Sequence, residues 1–124
     1  MKKIASILVI VLAFTFNSNA QDKMIKTISL EQTKGEFTQK SLTVSEGTYI
    51  FEVSNNQAAK EVGLVLVQKG KDASKPENHI QTAYVTTVVK DGKVEKTNPT
   101  VLTKGEYVYF CPLNPTPQYT LIVE

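Results

Sequence analysis

Arginine and tryptophan are absent from this chain of 124 residues, which contains one cysteine and one histidine. Without arginine the chain lacks the side chain best suited to bidentate contacts with phosphates or bases, so we expect no nucleic-acid partner. The single cysteine, Cys111, excludes an intramolecular disulfide and leaves its thiol buried, metal-bound or paired with another molecule. Burial is the expectation, because a free cysteine packs as a small hydrophobe. The single histidine, His79, gives little support to Cys-His or Ser-His-Asp catalysis, so we predict no catalytic residues and no enzyme.

The first 20 residues have the pattern of a secretory signal peptide. Lys2 and Lys3 form a basic start, residues 4–16 are apolar, and small residues precede a cleavage site after Ala20. The apolar run is shorter than the roughly 20 residues that a membrane span needs. We therefore predict a secreted or periplasmic protein with no membrane span after signal cleavage. Residues 21–124 then form a single mature domain.

Charge is evenly balanced in this mature part. Two of the 14 lysines, Lys2 and Lys3, belong to the signal segment, whereas all 12 acidic residues follow it. The mature chain therefore carries 12 positive and 12 negative side chains and a formal net charge of zero. Such a balance offers no electrostatic footprint for nucleic acid.

Alternation of β-branched and aromatic residues with polar ones dominates the mature sequence and predicts an all-β sandwich or barrel. Asp91-Gly92 is typical of a two-residue hairpin turn, and Ser74-Lys75-Pro76-Glu77 has the spacing of a helix capping box, which predicts a short helix over residues 75–82. Two similar segments, 44–51 and 102–109, predict two corners that lead into strands. Strands are expected at residues 24–30, 38–44, 48–54, 62–68, 83–90, 93–96, 106–110 and 118–123.

The segment around Cys111 resembles a known family. The sequence before Cys111 contains Gly105, Tyr107 and Tyr109. It resembles the Gly-x-Tyr-x-(Phe/Tyr) motif at the start of the last long strand in cupredoxins, the family whose fold holds type-1 blue copper. The phrase from Gly47 to a Val-x-Asn ending at Asn55 is also similar to that family. The resemblance covers residues 36–67 and 101–123, and it implies a Greek-key antiparallel β-sandwich.

The copper ligands that the resemblance implies are mostly replaced in this chain. In the family a histidine follows the cysteine after two to four residues and a methionine lies beyond it; these positions hold Asn114 and, approximately, Tyr119. The earlier histidine position falls at Lys60 or Glu61. A type-1 site needs two imidazoles and a thiolate, and the chain has one imidazole. We therefore predict a degenerate copper site and no cofactor.

Two functions remain open from the sequence. The first is an exported, non-enzymatic module that serves as a binding or structural domain for an unknown protein or envelope component. The alternative is a copper-binding protein of altered type for Cu(I) handling or electron transfer, because soft sulfur ligands favour Cu(I). In that alternative Cys111 is the metal ligand, joined by His79, by Met24 or by a partner's side chain.

Overall fold

A computed structural model describes residues 24–124, and the predicted signal peptide, residues 1–20, lies outside the described residues. Strands account for most of the regular structure. Short 3-10 turns lie at Pro76–Asn78 and Gln81–Ala83. The strands are β1 (Ile25–Thr33), β2 (Glu36–Phe37), β3 (Ser41–Val44), β4 (Gly47–Asn55), β5 (Glu61–Val62), β6 (Val65–Gln68), β7 (Val89–Lys90), β8 (Val94–Lys96), β9 (Thr100–Leu102), β10 (Gly105–Phe110) and β11 (Tyr119–Val123).

The strands form two main sheets and a small ribbon. The first sheet has the order β9-β4-β1-β2, with β8 also paired to β4, and the second has the order β3-β11-β10-β6. Strands β5 and β7 pair with each other. The pairings β1–β4 and β3–β11 are parallel, and the others are antiparallel. The predicted all-β, Greek-key sandwich is confirmed, but its sheets, expected to be antiparallel, are mixed because each main sheet contains one parallel pair.

The core lies between the sheets because each strand directs alternate side chains inward. In β4 the side chains of Tyr49, Phe51 and Val53 are buried, whereas the residues between them are only half-buried. Tyr109 in β10 and Leu121 in β11 face them from the second sheet and belong to the same apolar cluster. The alternation that predicted the strands therefore also defines the core.

The two similar segments form matching corners. The Tyr49 hydroxyl donates a hydrogen bond of 2.7 Å to the Ser45 carbonyl, and the Tyr107 hydroxyl donates one of 2.8 Å to the Thr103 carbonyl. In each corner the tyrosine lies four residues after its acceptor, so its ring stays in the core while its hydroxyl is satisfied by the turn. The repeated sequence thus corresponds to a repeated local structure.

The segment between β6 and β8 differs from its prediction. Residues 75–82, expected as one short helix, form the two 3-10 turns instead. The Ser74 hydroxyl and N–H both donate to the Asp72 carboxylate, so Ser74 does not cap a helix. The strand expected over residues 83–90 is reduced to Val89–Lys90, and the short strands β2 and β9 were not predicted.

The Asp91-Gly92 turn exists, but it does not join two strands that pair with each other. Gly92 has φ +79° and the Lys93 N–H donates to the Lys90 carbonyl at 2.9 Å, as expected for a tight turn. However, β7 before the turn pairs with β5, and β8 after it pairs with β4. The turn therefore carries the chain from the ribbon to the first sheet.

Candidate functional site

Cys111 follows β10 directly and is 1% exposed. Its sulfur accepts hydrogen bonds from two backbone N–H groups, those of Gly63 and Asn114, each at 3.3 Å. Its own N–H donates to the Thr116 hydroxyl at 3.1 Å, which folds the following loop back onto it. The thiol is therefore buried, as expected, and two N–H donors already point at the sulfur.

Asn114, at the expected histidine position, is buried, with 3% of its surface exposed. Its Nδ2 donates to Gln32 Oε1 at 3.1 Å and to the Thr33 carbonyl at 2.9 Å. Its Oδ1 accepts from the Gly35 N–H at 2.8 Å. Both amide protons and the oxygen of the side chain are thus used, and they tie the Cys111 loop to the turn between β1 and β2.

Gln32 completes this arrangement and was not predicted as a site residue. It is fully buried, and its Nε2 donates to the Gly63 carbonyl at 2.7 Å. A signal was present in the sequence: Gln32 continues the inward alternation of Ile28 and Leu30 in β1, so a polar side chain occupies a core-facing position. Such a residue needs a buried hydrogen-bond partner.

The four residues Cys111, Gly63, Gln32 and Asn114 form a closed ring of hydrogen bonds, called the polar ring below. The ring has four links. The Cys111 sulfur accepts from the N–H groups of Gly63 and Asn114. The Gln32 side-chain amide donates to the Gly63 carbonyl, and its oxygen accepts from the Asn114 side-chain amide. All four residues are buried. The ring lies where the resemblance places two copper ligands of the family, the cysteine, which is Cys111 here, and the histidine, which is replaced by Asn114.

The residues expected at the first histidine position lie elsewhere. Lys60 is exposed, and Glu61 is half-buried and pairs with Lys90 across the β5–β7 ribbon. The backbone group that contacts the sulfur belongs to Gly63, and the buried side chain next to it is that of Val62. Among the groups that hydrogen-bond to the sulfur there is therefore neither a carboxylate nor an amine.

Tyr119, at the expected methionine position, belongs to an aromatic cluster. Its ring centroid lies 5.6 Å from that of Tyr109, and 5.7 Å from that of Phe37 in an edge-on contact. Burial and the neighbouring Tyr119 raise the pKa of Tyr109 to about 12. The Lys40 ammonium lies 5.4 Å from the Tyr119 ring centroid. The tyrosine thus fills an apolar and cationic environment and offers no sulfur.

Both ring nitrogens of His79 make contacts in the loop after β6. Nε2 lies 2.7 Å from the Ala73 carbonyl and Nδ1 lies 2.6 Å from the Tyr84 hydroxyl. Because a carbonyl can only accept, Nε2 carries the proton, and Nδ1 accepts from Tyr84 in the neutral ring. The lone pair that a metal would need is therefore engaged by the tyrosine.

Met24 is far from the polar ring. It precedes Ile25, the first residue of β1, whereas Gln32 is near the end of that strand. With a rise of about 3.3 Å per residue, eight residues separate Met24 from Gln32 by about 26 Å. Met24 is therefore not placed to join Cys111 of the same molecule.

The donors around Cys111 do not match those of a type-1 copper site. Such a site needs two imidazoles with the thiolate, and the ring supplies carboxamides and backbone amides. Within residues 24–124, no group of three or more histidine, cysteine, aspartate or glutamate side chains is arranged to hold a metal ion.

An open groove of about 290 Å³ lies beside the Cys111 loop. It includes Leu113, which is 52% exposed. It is lined mainly by apolar residues: Gly63, Leu64, Val65, Tyr84, Val85, Pro112 and Leu113. No helix within the described part of the chain is long and apolar enough to cross a membrane.

Comparison with known proteins identifies the family. The sequence model of the cupredoxin-like domain family matches residues 6–123, so the chain belongs to that family. Among solved structures it is similar to auracyanin A, a blue copper protein from the green thermophilic photosynthetic bacterium Chloroflexus aurantiacus. The identity is 19% and the TM-score 0.58, over 82% of this chain and 100% of that one.

Other auracyanins give similar values. Auracyanin B is 17% identical with a TM-score of 0.58, over 80% of this chain and 88% of that one. The auracyanin of the photosynthetic bacterium Roseiflexus castenholzii is 20% identical with a TM-score of 0.53, over 80% of this chain and 97% of that one. A search of curated proteins finds no match. At these identities the likeness demonstrates the shared fold.

Proposed function

We propose that the protein is an exported, non-enzymatic cupredoxin-like module that holds no type-1 copper and acts as a binding or structural domain. The observation that carries the proposal is that Asn114, at the family's histidine position, already uses its side-chain amide in hydrogen bonds. Its amide makes three hydrogen bonds within the protein. Binding copper at this position would break them and leave buried polar groups without partners.

The chemistry of the remaining donors supports the same proposal. An amide nitrogen has no available lone pair, and an amide oxygen suits harder ions than copper in a blue site. A catalytic role is disfavoured on similar grounds, because a nucleophilic cysteine needs a neighbouring base. Cys111 is buried against backbone amides, and His79 is engaged by Tyr84 and the Ala73 carbonyl.

Export and the partner class belong to the proposal as well. Export rests on the signal-like pattern of residues 1–20, which predicts a periplasmic or secreted domain. The proposed partner is another protein or an envelope component, with no nucleic acid, because the mature chain is neutral and lacks arginine.

Metal analysis of the protein purified from its own compartment tests the proposal. We expect substoichiometric copper, and no intense blue thiolate band when Cu(II) is added. The matched control is Cys111→Ser, which removes the sulfur but keeps an acceptor. Copper that survives purification of the native protein and is lost from Cys111→Ser would contradict the proposal and favour the altered-type copper protein.

A further inference from the structure

We propose that the polar ring of Cys111, Gly63, Gln32 and Asn114 replaces a metal as the cross-link that holds the Cys111 loop to the rest of the sandwich. A bound metal joins separate chain segments through its ligands. Here the same position is occupied by four hydrogen bonds that close on themselves. The proposal rests on the proposed absence of type-1 copper, and it does not depend on which protein or envelope component the domain binds.

The ring joins three segments that are distant in sequence. Gln32 lies near the end of β1 in the first sheet, Gly63 lies between β5 and β6, and Cys111 and Asn114 belong to the loop between β10 and β11. Further bonds from Asn114 to Thr33 and Gly35 extend the ring to the turn before β2. Opening the ring therefore weakens the attachment of the loop to β1 and to the segment between β5 and β6.

Burial makes the ring cooperative. Gln32 is fully buried and Asn114 is 3% exposed, so no member can readily exchange a lost protein partner for water. Removing one carboxamide leaves the other with unpaired groups in a region of low dielectric, where such groups are costly. The contribution of each carboxamide to stability should therefore depend strongly on the presence of the other.

A double-mutant cycle of Gln32→Ala, Asn114→Ala and the double variant tests this dependence. Two quantities are measured: the equilibrium constant of unfolding in urea and the rate at which a thiol reagent labels Cys111. Each single substitution should raise the unfolding constant by about 10- to 100-fold. When the second substitution is added to a single variant, the factor by which it raises the unfolding constant should be at least about 5-fold smaller than the factor it produces in the native protein.

Asn55→Ala is the matched control, because Asn55 is a carboxamide of similar burial outside the ring. It is 2% exposed and bonds to the Ala59 and Val89 carbonyls and the Ala58 N–H. It should also destabilise the fold, but its Cys111 labelling should rise only in proportion to its unfolding constant. In the ring variants labelling should rise about 10-fold or more beyond that proportion, because the loop opens locally.

Additive effects of Gln32→Ala and Asn114→Ala, or labelling that follows global unfolding in every variant, would overturn the proposal. If the variants do not fold, hydrogen exchange of the native protein decides the question. The amides of Gly35 and Asn114 lie outside the strands, yet the ring should protect them about 100-fold or more relative to the amide of the exposed loop residue Thr87. Exchange as fast as that of Thr87 would equally overturn it.

Discussion

Replacing Cys111 by alanine should destabilise the protein by more than the loss of a small buried side chain. Removing a buried sulfur and leaving a small cavity costs about 1 kcal/mol. The same substitution leaves the N–H groups of Gly63 and Asn114 without their sulfur acceptor, each 3.3 Å away in the native protein. Because sulfur is a weak acceptor, we add about 1–2 kcal/mol for the two together.

The expected total is about 2–3 kcal/mol, which corresponds to a fall in melting temperature of about 10–20 °C for a domain of about 100 residues. Urea unfolding followed by circular dichroism measures the free energy, and Cys111→Ser provides the comparison. Serine retains an oxygen that can accept from the same N–H groups. The unfolding free energy lost in Cys111→Ser should therefore differ from that lost in Cys111→Ala.

A second readout comes from the native thiol. With 1% of Cys111 exposed, a thiol reagent should label the native protein only through opening or unfolding. A loss below about 0.5 kcal/mol for Cys111→Ala, or rapid labelling of the native protein, would refute the packing argument.

Three further outcomes are expected. Tyr49→Phe and Tyr107→Phe should each cost about 1 kcal/mol in urea unfolding, since each removes one corner hydrogen bond; no loss in either would contradict the role of the corners. Because burial raises the pKa of Tyr109 from 10.0 to about 12 in the folded state, the unfolded chain releases this proton first. Stability should therefore fall between pH 10 and 12, less steeply in Tyr109→Phe. Intact mass of the exported protein should correspond to a chain starting at Gln21, and a product that retains residues 4–16 would contradict signal cleavage.

The sequence predicted the sandwich well because the strands alternate over whole elements. Tyr49, Phe51 and Val53 mark the inward face of β4 without reference to any other strand. The prediction of a helix over residues 75–82 was wrong because the capping-box spacing shows only that Ser74 could cap a helix. It does not show which other group competes for the Ser74 side chain. The carboxylate of Asp72 takes both donors of Ser74, and that preference is decided by loop geometry.

The candidate site was only half predictable. The replaced ligands, including Asn114, follow from the spacing after Cys111, but the partners of Asn114 come from residues about 80 positions earlier in the chain. The polar residue on the inward face of β1, Gln32, indicates that a buried partner must exist. Only the packing of β1 against the Cys111 loop identifies which one.

The central claim is that hydrogen bonds, and no metal, hold this centre closed. Its most direct test is the urea midpoint of the purified native protein, measured with excess chelator and with Cu(I) in excess of the protein. A metal that binds only the folded state at 100 times its dissociation constant adds about 2.7 kcal/mol. We expect the same midpoint in both conditions. A higher midpoint with Cu(I) that disappears in Cys111→Ser would contradict it.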